Sequence, residues 1–189
     1  MAIVAVNCIS STLNSLSAHP TTSIVCDLEQ QRPFGVFPPS WQRPSRGRFK
    51  CNIGATFLNE WNITDLGMCI RNEEGVFVLA KVIPLLVMHN IVVGKVVGLY
   101  HALEWLSDMR IDNADFAVDS KSTVDAFNNP RPDISEFGLI IYACRSLFNL
   151  KFTNSKVEFN QRQANEVTHA LAGAATLLAS PIIYSYVPR

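Results

Sequence analysis

A ten-residue alternating stretch, Phe49–Leu58, constrains the fold of this chain more than any other part of the sequence. Apolar side chains occupy every second position from Phe49, and mostly polar or small residues occupy the positions between them. Successive side chains of a strand point to opposite faces of a sheet, so this pattern predicts a strand with one well-buried face. We therefore expect a sheet organised around this strand.

Further periodic segments follow it in an ordered series. The other predicted strands are 65–71, 76–87, 115–119 and 156–160. The predicted helices span 91–109, a short segment that Ser120 caps and that runs to Asn128, a segment that begins at Asp133, and 165–179. Turn residues Asn72–Gly75 join the second and third strands into a hairpin.

The order of these elements predicts an α/β fold with a five-stranded mixed sheet and helices on both faces. Three consecutive strands form an antiparallel meander, and two later strands reached through helical crossovers lie parallel to the first. Pro84 cannot donate a ladder hydrogen bond, which suits an edge position for the third strand. Ligands of such sheets bind at the carboxyl ends of the central strands.

Composition divides the chain into two parts. Residues 1–40 mix Ser, Thr and Pro without a sustained period, which predicts a linker or disordered N-terminal tail. Residues 41–189 form the predicted domain, which we expect to be a monomer. Sixteen basic residues balance sixteen acidic ones, so composition does not imply strong binding to nucleic acid of any base sequence. A local basic patch on the protein surface is still compatible with zero net charge.

The five cysteines are widely spaced and form no CxxC pair, which favours free thiols over a disulfide framework or zinc site. Free thiols suit an intracellular location, and nuclear and cytoplasmic sites both stay open. No segment reaches the roughly 18 uninterrupted apolar residues of a membrane span. The N-terminus lacks the basic start of a signal peptide, so we expect neither secretion nor a membrane partner.

A basic segment precedes the first strand. Arg43, Arg46, Arg48 and Lys50 occur between Trp41 and Lys50 without an acidic residue. Two interpretations are open: a solvated lead-in to the strand, or an arm that contacts phosphates.

Five strings in the predicted order resemble the ribonuclease H domain, in the plant form found in retroelement polyproteins and their stand-alone derivatives. They lie within about Trp41–Arg189. The strings are WQRPSRGRFKCN, LGMCIRNEEGVFV, ALEW, VDS and RQANEVTHALA. The resemblance implies a ribonuclease H-like fold, and in that family four carboxylates hold two Mg²⁺ ions that cleave the RNA strand of an RNA–DNA hybrid.

Carried over residue by residue, the four family positions fall on Gly54, Lys95, Asp119 and His169. Only Asp119 is a carboxylate, and it is either a Mg²⁺ ligand or simply the end of a strand. His169 is either a ligand or a polar residue at the helix margin. Lys95 adds a positive charge where the family holds metal. Glu104 lies nine residues after Lys95 and projects from roughly the opposite side of the helix. Glu166 precedes His169 by about one turn, which is closer, but a metal ion held there would need a different geometry. We predict that Lys95 pairs with Asp119 and partly replaces the missing metal charge.

The resemblance also implies nucleic-acid contacts for Asn52, Ser120, Arg162 and Asn165. Three functions follow as hypotheses. The first is a ribonuclease H-like domain that binds RNA–DNA hybrid or duplex, has weak or absent Mg²⁺ binding and has lost efficient cleavage. The second is an active hybrid endoribonuclease with a rearranged site. The third is a non-catalytic scaffold or interaction module. None requires a small-molecule cofactor.

Overall fold

The computed structural model describes residues 41–175 and 180–185, so the predicted tail at 1–40 and the predicted helical residues 176–179 lie outside the described residues. Strand β1 spans Phe49–Leu58, as predicted. The other strands are β2 (Ile63–Arg71), β3 (Phe77–Leu85), β4 (Ala114–Val118), β5 (Lys156–Phe159) and β6 (Ile182–Tyr184). The helices are α1 (Ile91–Asp108), α2 (Lys121–Asn128), α3 (Glu136–Lys151) and α4 (Glu166–Ala175), with 3-10 turns at Asn59–Trp61 and Arg162–Asn165.

The strands form one mixed sheet in the order β5-β4-β1-β2-β3-β6. The antiparallel meander β1–β2–β3 and the parallel pairs β1–β4 and β4–β5 confirm the predicted topology. The sixth strand, β6, was not predicted. It has three residues and directly follows Pro181, so it is too short to show a period.

Strand β6 also corrects the predicted edge position of β3. It pairs antiparallel with β3 over Ala80–Val82. Pro84 lies beyond this paired segment, so its missing N–H removes no hydrogen bond to β6.

Helices α1 and α3 cover one face of the sheet. Side chains at alternate β1 positions pack here with the apolar residues of α1, and Ile53, Leu99 and Leu103 are buried. Helix α1 lies so close to β1 that a Cβ at Gly98 would be 3.2 Å from Ile53 Cγ2. A group of aromatic rings packs on this face between β4 and the end of α3, and the ring centroids of Phe116 and Phe152 lie 5.2 Å apart. Burial of these apolar side chains is the main source of stability.

Helix α4 lies on the opposite face. It packs against a pair of glycines, Gly54 of β1 and Gly67 of β2, which are register partners in the sheet. Thr168 of α4 faces Gly54 and is buried. Helices therefore cover both faces, as predicted, and two small residues let α4 approach the strands closely.

Two helix starts test the predicted capping signals. Ser120 caps α2 and accepts a hydrogen bond from the Thr123 N–H, as predicted. Helix α3 begins at Glu136 rather than Asp133, and Ser135 caps it by accepting from the Gly138 N–H. Asp133 instead accepts from the Ser135 N–H at 2.9 Å, a local turn that competes with helix formation.

Among the described residues, none of the helices combines the length and apolar character that crossing a bilayer requires.

Candidate functional site

The four positions carried over from the family lie in or next to four different elements of the fold. Gly54 is in the middle of β1, and Asp119 directly follows β4, the parallel neighbour of β1. Lys95 lies in the first half of α1, and His169 lies in α4. Asp119 therefore sits at the carboxyl end of a central strand, where the topology predicts a ligand site.

The structure brings three of these side chains into one hydrogen-bonded cluster, Lys95–Asp119–His169. Lys95 Nζ donates to both carboxylate oxygens of Asp119, at 2.6 and 2.7 Å. His169 Nε2 lies 2.9 Å from Asp119 Oδ2. The Asp119 side chain is 2% exposed, against 11% for Lys95 and 15% for His169. The predicted pairing of Lys95 with Asp119 is confirmed.

Two opposing effects act on the Asp119 carboxyl. Burial raises the pKa of Asp119, but hydrogen bonds from His169 and Lys95, together with the Lys95 charge, outweigh burial and leave the pKa below its ordinary value. Asp119 is therefore an anion at neutral pH. Because a carboxylate only accepts hydrogen bonds, His169 Nε2 carries the proton of this contact. The buried Nδ1 atom of His169 has no hydrogen-bond partner among the described residues.

Gly54 contributes no side chain, and the space beside it is already filled. A Cβ at this position would lie 2.8 Å from Thr168 Oγ1 and 3.1 Å from Thr168 Cβ. Real Cβ atoms rarely come that close to another heavy atom, so a longer side chain at 54 requires α4 to move. The close packing of α4 on β1 therefore leaves no room for a carboxylate side chain at position 54.

This arrangement does not fit the two-metal site that the resemblance implies. Mg²⁺ takes oxygen ligands, and two such ions about 3.5–4 Å apart require several negative charges. Here the single carboxylate already accepts two hydrogen bonds from an ammonium group. Across residues 41–175 and 180–185, His, Cys, Asp and Glu side chains form no group of three that could hold a metal ion.

Comparison with known proteins agrees with the fold. A family described as reverse transcriptase-like matches residues 52–175, which run from within β1 to the end of α4 and include all four site positions. The chain belongs to this family. Its domain is ribonuclease H-like, as the sequence motifs indicated. No curated protein matches the sequence.

Several solved structures share the fold of this ribonuclease H-like domain. RNase H1 from the halophilic archaeon Halobacterium salinarum NRC-1 has a TM-score of 0.62 and 18% identity, over 69% of this chain and 98% of that chain. LC11-RNase H1 in complex with RNA/DNA hybrid has a TM-score of 0.60 and 14% identity, over 67% and 95% of the two chains. The foamy viral protease-reverse transcriptase with RNA/DNA hybrid has a TM-score of 0.55 and 12% identity, over 78% and 22%.

The other predicted site residues of the ribonuclease H-like domain separate into two kinds. Asn52 and Asn165 are buried and joined by an Asn52 Nδ2–Asn165 Oδ1 hydrogen bond of 3.0 Å. Ser120 is used as the cap of α2. Arg162 is exposed in the 3-10 turn before α4 and lines a shallow hollow with His169. A role in nucleic-acid contact stays a prediction for all four.

The basic segment before β1 is partly structural. Arg48 donates to Asp115 and, through Nη1, to the Asn154 side chain at 2.8 Å. Lys50 Nζ lies 2.8 Å from Glu158 Oε1 and is almost fully buried. These two cations hold the start of β1 against β4 and β5, which supports the lead-in interpretation for them. For Arg43 and Arg46, the other two basic residues of the segment, both interpretations stay open.

Sequence reasoning missed Trp41 as a site residue. The Trp41 indole N–H donates to Asn52 Oδ1 at 2.8 Å and so extends the Asn52–Asn165 pair to the outer surface of the sheet. The available signal was the polar face of β1, on which Asn52 lies between Lys50 and Gly54. A buried amide needs a partner, and the partner here comes from outside the strand.

Proposed function

We propose that this ribonuclease H-like domain binds RNA–DNA hybrid or duplex nucleic acid and does not cleave it by the two-metal reaction. The observation that carries the proposal is the Lys95 ammonium on both oxygens of Asp119. In the family, the carboxylate at this position serves a metal ion. In this domain the Lys95 side chain supplies the positive charge, so the fold is retained without the metal ions that hydrolysis requires.

Electrostatics supports the loss of metal binding. Lys95 and Asp119 together carry no net charge, so the cluster offers little attraction to a dication. Binding Mg²⁺ at Asp119 would displace the ammonium or place two positive groups side by side. At separations near 4 Å such repulsion is worth several kcal/mol in a partly buried site. Weak or absent Mg²⁺ binding is therefore part of the proposal.

Retention of the nucleic-acid surface rests on the shared fold and on exposed polar groups beside the cluster. Arg162 and Gln163 are exposed next to His169, where they are available to phosphates or base edges. The LC11-RNase H1 and foamy viral structures contain RNA/DNA hybrid, which supports hybrid as the first nucleic acid to test. Because the net charge is zero, we expect moderate affinity.

The test uses a labelled RNA–DNA hybrid with Mg²⁺ or Mn²⁺, and the wild-type chain beside the Asp119→Asn variant. We expect no cleavage by either protein, and hybrid binding whose affinity falls with salt at a log–log slope of about −3. Cleavage that Asp119→Asn abolishes would instead establish the rearranged active site. Absence of salt-sensitive binding would support the scaffold interpretation.

One feature favours an interaction module as the second candidate. Large apolar side chains are exposed along α3 and just before it, with Ile134 94% and Leu150 75% exposed. Exposed apolar surface of this kind often marks a protein contact. Sedimentation of the full chain tests whether this surface mediates self-association, because the proposed nucleic-acid-binding domain is expected to be monomeric.

A further inference from the structure

Trp41 forms a flat platform on the α4 face of the sheet. The Arg71 guanidinium carbon lies 5.2 Å and Lys50 Nζ lies 5.9 Å from the centre of its ring. Lys50 and Arg71 are register partners of β1 and β2, so both cations lie on the sheet side of the indole. The indole is half-buried, and its position is therefore set from beneath while part of its surface stays accessible.

Hydrogen bonds hold this platform in one orientation. Trp41 Nε1 donates to Asn52, Asn52 donates to Asn165, and Asn165 Nδ2 donates to the Ile53 carbonyl at 2.7 Å. Asn52 is 4% exposed and Asn165 is 1% exposed. Each amide still has one N–H and one acceptor lone pair beyond these bonds. The chain therefore fixes the ring and leaves hydrogen-bonding capacity beside it.

A cavity of about 260 Å³ opens at this place. Its walls include Trp41, Arg71, the two Asn side chains and Gln163. Gln163 and Glu166 also line a second hollow of about 280 Å³, which His169 and Arg162 complete. The two hollows thus share a wall, and together they connect the Trp41 platform with the Lys95–Asp119–His169 cluster.

The chemistry of the first hollow favours a flat, neutral group with hydrogen-bonding edges. An indole offers a stacking surface, and amide side chains match the edges of nucleobases. The volume is below the roughly 300–1,000 Å³ of sites for drug-sized ligands, so one ring system fits better than a base pair. The Glu166 carboxylate at the rim disfavours a phosphate inside the hollow and can accept from the amino group of a base.

We propose that this hollow binds one unpaired nucleobase of the bound strand, stacked on Trp41 beside Gln163. The inference rests on the proposed function and deepens it, because it makes a hybrid with a single-stranded tail the preferred ligand. The second hollow then carries the strand between the tail and the Asp119 cluster, with Arg162 placed for a backbone phosphate.

The experiment compares two labelled hybrids that differ only in a tail of four adenines on the RNA strand. Fluorescence anisotropy measures the affinity of the full chain for each. We expect the tailed hybrid to bind about tenfold more tightly, the size of effect that stacking of one base on an aromatic side chain produces. Quenching of Trp41 fluorescence is read in a Trp61→Phe background, because Trp61 is 58% exposed whereas Trp105 is buried.

Matched variants assign the effect to the hollow. Gln163→Ala removes a wall residue and is expected to abolish most of the preference for the tail. Gln161→Ala changes the same residue type two positions away, outside both hollows, and should keep the full preference. Trp41→Leu should abolish both the preference and the quenching, with a thermal melt to confirm folding because Asn52 loses a partner.

The outcomes separate the two proposals. Tighter binding of the tailed hybrid that Gln163→Ala removes and Gln161→Ala preserves supports the inference. Equal, salt-sensitive binding of both hybrids overturns the inference and leaves the proposed function intact. Binding of neither hybrid overturns the proposed function, and the inference with it.

Discussion

Lys95 Nζ contacts both oxygens of Asp119 at 2.6 and 2.7 Å, and the pair joins helix α1 to the end of strand β4 across the site. Because both side chains are largely buried, each provides the opposite charge that compensates the buried charge of the other. The pair is therefore a structural element as well as the reason for proposing loss of metal chemistry.

Removing the ammonium should expose the cost of the buried carboxylate. We expect Lys95→Met to lower the free energy of unfolding by about 3 kcal/mol, because an uncompensated buried charge is left behind. Urea denaturation measures the change. The control is Lys121→Met, whose partner Asp125 is 56% exposed, and there the loss should stay below about 1 kcal/mol. Similar losses in the two variants would show that the Lys95 pair is not buried in solution.

Exchanging the cation for an acid should create a site that responds to metal. In Lys95→Glu, two carboxylates face each other, and we expect millimolar Mn²⁺ to raise its melting temperature by about 3 °C or more. The wild-type melting temperature should not change with Mn²⁺. Lys121→Glu controls for nonspecific metal binding to added charge. A wild-type domain that Mn²⁺ stabilises would contradict the proposed loss of the metal site.

Packing at Gly54 should resist even one added methyl group. We expect Gly54→Ala to lower the free energy of unfolding by about 1–3 kcal/mol, since the new Cβ meets Thr168. Thr168→Ala in the same chain removes the closest atom and should recover part of the loss. Gly173→Ala in α4 is the control, because an added Cβ there meets no heavy atom within 4 Å among the described residues beyond the helix's own backbone. Chemical denaturation of all four chains decides whether the penalty is specific to position 54.

The lowered pKa of Asp119 predicts how its contribution depends on pH. A carboxyl whose folded pKa lies below its ordinary value of 3.8 contributes stability that is fully present above that value. The contribution is lost as pH falls through the folded pKa. Asp119→Asn should therefore be less stable than wild type at pH 7, and the difference should shrink below about pH 4. Urea midpoints between pH 2.5 and 7 measure it, and a difference that stays constant across this range would refute the assignment.

The sequence alone determined the local elements and their order. Alternation set β1 at Phe49–Leu58, and the chain order predicted the meander, the two parallel strands and the helical crossovers. The prediction that Lys95 pairs with Asp119 came instead from the family resemblance, which placed both residues at positions of one site. The elements and their order depend on periodicity and connectivity, which the residues show directly.

Only the tertiary structure decided the contacts between distant elements. Strand β6 is recognised only by its pairing with β3 over Ala80–Val82, because three residues carry no period of their own. The close fit of Thr168 against Gly54 and the placement of Trp41 over Lys50 and Arg71 depend on how helix and strand surfaces meet. Periodicity says which side of an element faces inward, whereas close packing sets which atoms touch, and this requires the register and depth of every neighbour.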